Sequence, residues 1–268
     1  MQKLLPLLII SSLYGHDLYL MPQKFRPAKG ETILLSVHTG DSFPMSEQPV
    51  DPARLTAFPA LPESSWRMLN KATHATVTAQ DGSQFFAVQS KARFLEMEPA
   101  KFDDYLKEEG LTIQLSLRKE KNEANIKSRE MYAKFAKTYV VAGNPNASFS
   151  KPLGLKIEIV PLADPAGLKP GASLPVQLLY KGKPLADVQM EIATSTGPTK
   201  KAILQIAGRT NREGKLDIAI PSAGKIRLHA VAMDRVSEST HDWESNWASL
   251  TFEVLSAPGT ESITLSNK

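Results

Sequence analysis

Short apolar runs in which every second side chain is hydrophobic, each closed by proline or glycine, constrain this chain more than any other feature. In Glu31 to His38, Ile33, Leu35 and Val37 share one face and Thr32, Leu34, Ser36 and His38 the other, the period-two pattern of a strand. Asp17 to Leu20, Thr73 to Ala79 and Gln84 to Val88 read the same way. Beyond Leu155 the pattern is cleanly β, through Leu155 to Val160, Ser173 to Tyr180, Val188 to Thr194, Lys215 to Ile220, Lys225 to Met233 and Trp247 to Leu255. Such strands, joined by turns that draw on 19 prolines and 15 glycines, point to sandwiches of packed sheets and not to alternating β and α units. Lys181-Gly182-Lys183-Pro184 predicts a hairpin, and Thr210-Asn211-Arg212-Glu213-Gly214 a chain reversal.

Two segments read as helices. Pro99 precedes Lys101 to Glu109 and Gly110 follows it, with Phe102, Tyr105 and Leu106 at helical spacing, which predicts a helix near 100–109. Tyr132, Phe135, Ala136 and Tyr139 recur at i, i+3, i+4 and i+7 and predict a second over 128–139. The turn formers between Gly143 and Gly154 place a domain boundary at about 150. The expected architecture is mainly β, with two sandwich domains: residues 16–150 with one or two helices, and residues 151–256. A small, polar tail over 257–268 is expected to be disordered.

The first fifteen residues carry one lysine, an apolar run from Leu4 to Ile10 and small residues at Ser11, Ser12 and Gly15, a short secretory signal pattern. Its removal would place the protein in the periplasm or outside the cell, with His16 as the first residue. The chain has no cysteine, which excludes disulfides, thiolate metal sites and cysteine nucleophiles. Its formal charge of +4 comes from 32 basic and 28 acidic residues with interspersed signs, unlike the clustered stripe of a nucleic-acid binder. Neither GxGxxG nor GxxxxGK[ST] occurs, so no nucleotide, flavin or haem is expected. No GxSxG elbow and no facing carboxylate pair can be read, and Glu108 and Glu109 fall side by side on a helix, so the chain is expected not to be an enzyme.

Metal binding must then rest on His, carboxylate, Met or backbone nitrogen. An N-terminal His16 would offer its amino group and imidazole as a chelate, and His38, before the Thr39-Gly40-Asp41 turn, a further nitrogen, a set suited to nickel, cobalt or copper. Asp17 and Asp41 can supply an oxygen or orient an imidazole. His229 and His241 are further candidates, although His229, sharing a strand face with Arg227, also reads as a hydrogen-bonded structural residue. His74 reads as an exposed sheet residue. Trp243 and Trp247 read as anchors of the loop that carries His241-Asp242-Trp243-Glu244.

The segments His16-Asp17-Leu18-Tyr19-Leu20, Phe25-Arg26-Pro27-Ala28-Lys29-Gly30, His38-Thr39-Gly40-Asp41 and His241-Asp242-Trp243-Glu244-Ser245 resemble an exported bacterial family of largely unknown function, often labelled NikM-like. The resemblance spans nearly the whole chain after residue 15. It implies a periplasmic component of nickel or cobalt uptake, with a membrane transporter as partner. Gly182-Lys183-Pro184-Leu185-Ala186-Asp187-Val188 also resembles prealbumin-like and carboxypeptidase-regulatory-like sandwiches, modules of immunoglobulin-like architecture that support or bind. The leading expectation is an exported transition-metal-binding protein with ligands among His16, His38, His229, His241 and Asp17. The alternative is a non-catalytic surface binding module for a protein or carbohydrate, using Trp66, Trp243 or Trp247.

Overall fold

The computed structural model describes residues 16–64, 66, 73–197, 200–237 and 240–256. The expected signal segment and the tail lie outside these residues. The strands are β1 (Leu18–Pro22), β2 (Thr32–Thr39), β3 (Leu55–Ala57), β4 (Ala60–Leu61), β5 (His74–Thr78), β6 (Gly82–Ser90) and β7 (Arg93–Met97). Two helices follow, α1 (Pro99–Glu108) and α2 (Thr112–Glu120), and then β8 (Ser128–Ala142), β9 (Ile157–Pro161) and β10 (Ser173–Tyr180). The chain continues through β11 (Lys183–Pro184), β12 (Gln189–Ser195), β13 (Ile203–Arg209), β14 (Lys215–Ala219), β15 (Gly224–Arg235) and β16 (Trp243–Val254). The protein is a mainly β sandwich, and among the described residues no helix is long and apolar enough to cross a membrane.

The second helix expected from the sequence is a strand. Residues 128–142 form β8, which pairs antiparallel with β6 and β7 and parallel with β16. Both of its faces are covered, so apolar residues occupy both parities and a helical spacing can be picked out of them. Phe135, Tyr139 and Val141 enter one core, and Ala136 and Val140 the other. The first helix forms as expected, with Pro99 in its first turn and Phe102, Tyr105 and Leu106 buried.

The expected boundary near 150 does not separate two sheets. One nine-stranded sheet, ordered β13-β12-β15-β16-β8-β6-β3 with β4 and β7 attached, takes strands from both halves of the chain. The sheet of β9, β10, β11 and β14 packs on one face, where Ile157, Ile159, Leu174, Val176 and Leu178 meet Phe135, Leu228, Leu250 and Phe252. The opposite face receives the β1-β2-β5 sheet at one end and the two helices at the other. Two sandwiches thus share a central layer. The predicted hairpin joins β10 to β11 through Lys181 and Gly182 at φ +51° and +75°, the left-handed pair that a two-residue turn requires.

A buried ion pair crosses the first interlayer space. Lys137 on β8 donates to Glu158 on β9 at 2.7 Å, with both side chains 1% exposed. The Glu158 carboxylate also accepts from the backbone amides of Leu153, Gly154 and Leu155, which fixes the turn after position 150. Glu158→Leu would strand a buried ammonium and three amides, so it is expected to cost about 3–5 kcal/mol. Urea unfolding monitored by tryptophan fluorescence measures it, and a loss under about 1 kcal/mol would contradict this role.

Candidate metal centre

β1 and β2 form an antiparallel ribbon in which Leu18 faces Thr39 and Tyr19 faces His38. Alternation sends Leu18 and Leu20 into the core against β6 and β8, while Tyr19 and Met21 pack with Phe25 and Phe43. His38 shares the Tyr19 face, with the two rings 5.5 Å apart, and its Nδ1 donates to the Pro44 carbonyl at 3.1 Å. His16 falls on the Leu18 parity. The ribbon therefore does not bring His38 into one site with His16. Burial lowers the pKa of His38, partly offset by the Pro44 carbonyl.

The partners of His16 are instead carboxylates from the loop after β2. Its Nδ1 lies 3.3 Å from Asp41 and 3.7 Å from Glu47, and one ligand atom from each of the three residues falls within 4.8 Å of the others. That nitrogen is buried with no hydrogen-bond partner. The Gln48 side-chain amide, 3.3 Å away, occupies Nε2. Glu47 is fixed by the Asp41 amide at 3.0 Å and by the Ser42 hydroxyl, and these two hydrogen bonds lower its pKa. Gly40 makes room for it: at φ +137° a Cβ would sit 2.7 Å from the Glu47 carboxylate. Asp41 was readable as an oxygen donor beside the turn. Glu47 was not, because nothing in the spacing shows that the loop folds back on its own glycine.

Asp17 and His229 are used elsewhere. Asp17 pairs with Arg227 at 2.7 Å and with His229 Nδ1 at 2.9 Å, while His229 Nε2 meets Glu109 at 3.0 Å. Both imidazole nitrogens thus face carboxylates. Burial alone would raise the Asp17 carboxyl, but Arg227 and His229 outweigh it and hold the group far below the ordinary range. Burial would likewise lower His229, and Asp17 and Glu109 reverse this and raise it well above 6.5. The Arg227 guanidinium also lies over the Tyr19 and Phe43 rings, at 5.6 and 5.7 Å. Glu109, from the C-terminal end of α1, reads from sequence as a surface residue. On the same face of β15, these charges clamp the segment that presents His16.

More contacts complete the clamp. The Gly40 amide donates to the Asp17 carbonyl at 3.1 Å, Ser249 donates to the Leu18 carbonyl at 2.7 Å and Lys134 donates to the His16 carbonyl. Burial lowers Lys134 to about 8 against the pull of Asp17 and Asp41, and its ammonium lies over the Trp247 ring at 5.0 Å. Nearby, burial raises Glu130 to about 7 in spite of hydrogen bonds from Ser245 and Tyr105.

His241 is buried on the far side, its Nδ1 2.9 Å from the Thr240 hydroxyl and its Nε2 3.6 Å from Glu244. Its loop is held by Arg129 pairing with Asp242 at 2.8 Å and by Trp243, which is fully buried. Trp247 stacks on Tyr105 at 5.7 Å, and Trp66 packs against Phe58 and Phe86. All three tryptophans belong to cores. His74 pairs with Ser36 at the start of β5 and is half-buried.

The fold and this corner define a layered β-sandwich protein that holds one imidazole against two carboxylates. The chain belongs to the family DUF4198, a domain of unknown function, whose profile matches residues 13–234. No curated protein matches it. Among solved structures it is similar to three N-terminal domains of the highly immunogenic outer capsid protein of bacteriophage RB49, at 12% identity over 88% of this chain and 59% of that chain, with a TM-score of 0.19. It is also similar to native α2-macroglobulin from Escherichia coli spanning domains MG0-NIE-MG1, at 12% identity over 89% and 71% of the two chains and a TM-score of 0.21. The mouse nectin-like molecule 4 ectodomain matches at 8% identity over 92% and 66%, with a TM-score of 0.18. The chain thus spans less than two thirds of the phage protein, and at these TM-scores the likenesses carry no argument.

The clamp makes a pH prediction. Folding raises His229, so its contribution to stability is complete below its unfolded value of 6.5 and is lost as pH rises toward the folded value. Folding lowers Asp17, whose contribution is complete above its unfolded value of 3.8 and is lost in acid. The stability difference between the native chain and His229→Gln should be largest between about pH 5 and 6 and shrink as pH rises above 6.5 toward the raised folded value. Denaturation midpoints across that range measure it, and a pH-independent difference would remove the ion pairs as the cause.

Proposed function

We propose that this is an exported protein that binds a divalent transition metal, and that it holds the ion at His16, Asp41 and Glu47. The observation that carries this reading is the buried His16 Nδ1, which has no hydrogen-bond partner and faces two carboxylates at 3.3 and 3.7 Å. Ligands about 2.1 Å from a tetrahedral ion lie about 3.4 Å apart, so the corner needs little rearrangement to take one. With a metal on Nδ1 the neutral ring carries its proton on Nε2, and a half-turn of the Gln48 amide would present an oxygen to accept it. One nitrogen and two carboxylate oxygens suit a first-row divalent ion.

Processing before His16 would add a second nitrogen. The α-amino group and Nδ1 of one histidine close a six-membered chelate ring, and Nδ1 is the nitrogen that faces the carboxylates. The resemblance to NikM-like proteins supports nickel or cobalt as the cargo, a location outside the cytoplasm, and a membrane transporter as the receiver. Binding without chemical conversion is the corresponding activity. The binding-module alternative has less support, since Trp66, Trp243 and Trp247 are buried.

Untagged protein starting at His16 is expected to bind one nickel or cobalt ion in calorimetry. Glu47→Gln and Asp41→Asn should each weaken binding by roughly tenfold or more, and an alanine placed before His16 should weaken it similarly. Equal affinity in all four proteins would overturn the site.

A further inference from the structure

We infer that the cavity beside this corner is a binding site for a small organic anion bearing carboxylate groups. The cavity, of about 160 Å³, opens between the β1-β2 ribbon and the edge formed by β7 and β8, and His16 lies in its wall. Three cationic side chains line it, Arg54, Arg93 and Lys134, and no carboxylate is among its lining residues. The β7–β8 register sets Arg93 opposite Tyr132, so Arg93, Tyr132 and Lys134 project from one face. Arg54 reaches in from the turn before β3. Among the described residues neither Arg54 nor Arg93 has an ion-pair partner, and the buried Nε of Arg54 makes no hydrogen bond.

Two arginines without ion-pair partners among the described residues, set beside the Lys134 ammonium, repel one another, and a buried guanidinium nitrogen without an acceptor is costly. An anion removes both penalties. Guanidinium groups meet carboxylates and phosphates through paired N–H donors, so the cations alone do not choose between these ligands. The remaining wall does. Leu18, Val50 and Leu55 give the cavity an apolar side that suits a carbon skeleton. Its volume lies well above the ~10–15 Å³ that one water needs and below the ~300 Å³ at which drug-sized sites begin, so the occupant is small. Two or three separated cations match a dicarboxylate better than a single acid.

The site goes beyond the metal reading and does not depend on it, so the test uses chelator-treated, metal-free protein. Titration calorimetry with succinate should show saturable one-to-one binding, and acetate and inorganic phosphate should each bind roughly tenfold more weakly or worse. Arg54→Gln and Arg93→Gln, confirmed as folded by unchanged unfolding midpoints, should each weaken succinate by roughly tenfold or more. Arg212→Gln, on the remote turn after β13, should leave it unchanged. Absence of saturable succinate binding, phosphate binding as tightly as succinate, or full affinity in both arginine variants would each overturn the proposal.

Discussion

The parallel pairing of β8 with β16 is the constraint on which the rest of the structure depends. Nine consecutive residues, Glu130 to Thr138, align with Trp243 to Thr251, joining strands more than a hundred residues apart. Parallel strands need a long crossover and are stable where both faces are covered. Here the crossover contains a whole β layer, β9 to β11 with β14, which folds back over one face, while the N-terminal ribbon and the helices cover the other. Polar residues on the inward positions of β8 then become buried ones. Lys137 and Glu130 illustrate the result: the first is paired with Glu158, and the second is held as a carboxyl of raised pKa under Tyr105 and Ser245.

The same covering explains why charge sits at the start of β1. Apolar burial orders a strand in general but selects its register only through alternation. Buried ion pairs add little net stability, because desolvation offsets their attraction, yet they penalise a misplaced partner heavily. A one-residue slip of β1 would turn Asp17 into the apolar core around Leu20 and Leu35, leaving Arg227 without its carboxylate and His229 with Glu109 alone. The clamp thereby holds His16 to one position relative to the loop carrying Asp41 and Glu47. Hydrogen bonds from the Gly40 amide to the Asp17 carbonyl and from the Lys134 ammonium to the His16 carbonyl act in the same direction.

Strands with clean alternation were legible in the sequence, and so were β6, β15 and β16 although both of their faces are buried, whereas β8 was not. β2 shows clean alternation because its odd positions alone enter the core, and β10 does so for the same reason. β8 loses the alternation, and the subset Tyr132, Phe135, Ala136 and Tyr139 then imitates a helix. The turn formers after Gly143 were read correctly as a turn, but a turn does not show that the next strands build on the same sheet. The histidines divide similarly. His16 and His38 are near in sequence, and only the register of the ribbon separates them. Glu109 reaches His229 across 120 residues, and Lys134 was concealed by the helical reading of its own strand.

His16 borders two regions of opposite sign. Asp41 and Glu47 lie against its Nδ1, and the same residue forms part of the wall of the cavity with Arg54, Arg93 and Lys134. Each region partly neutralises the field of the other, which allows both to exist at one end of a sheet without a large local charge. A cation placed by Asp41 and Glu47 would cancel the negative side and leave the arginines less compensated, and so more attractive to an anion. An anion among the arginines would make the carboxylate corner more attractive to a cation in turn. Linkage requires these two effects to be equal in free energy, so two sites that share one imidazole wall would each strengthen the other when filled.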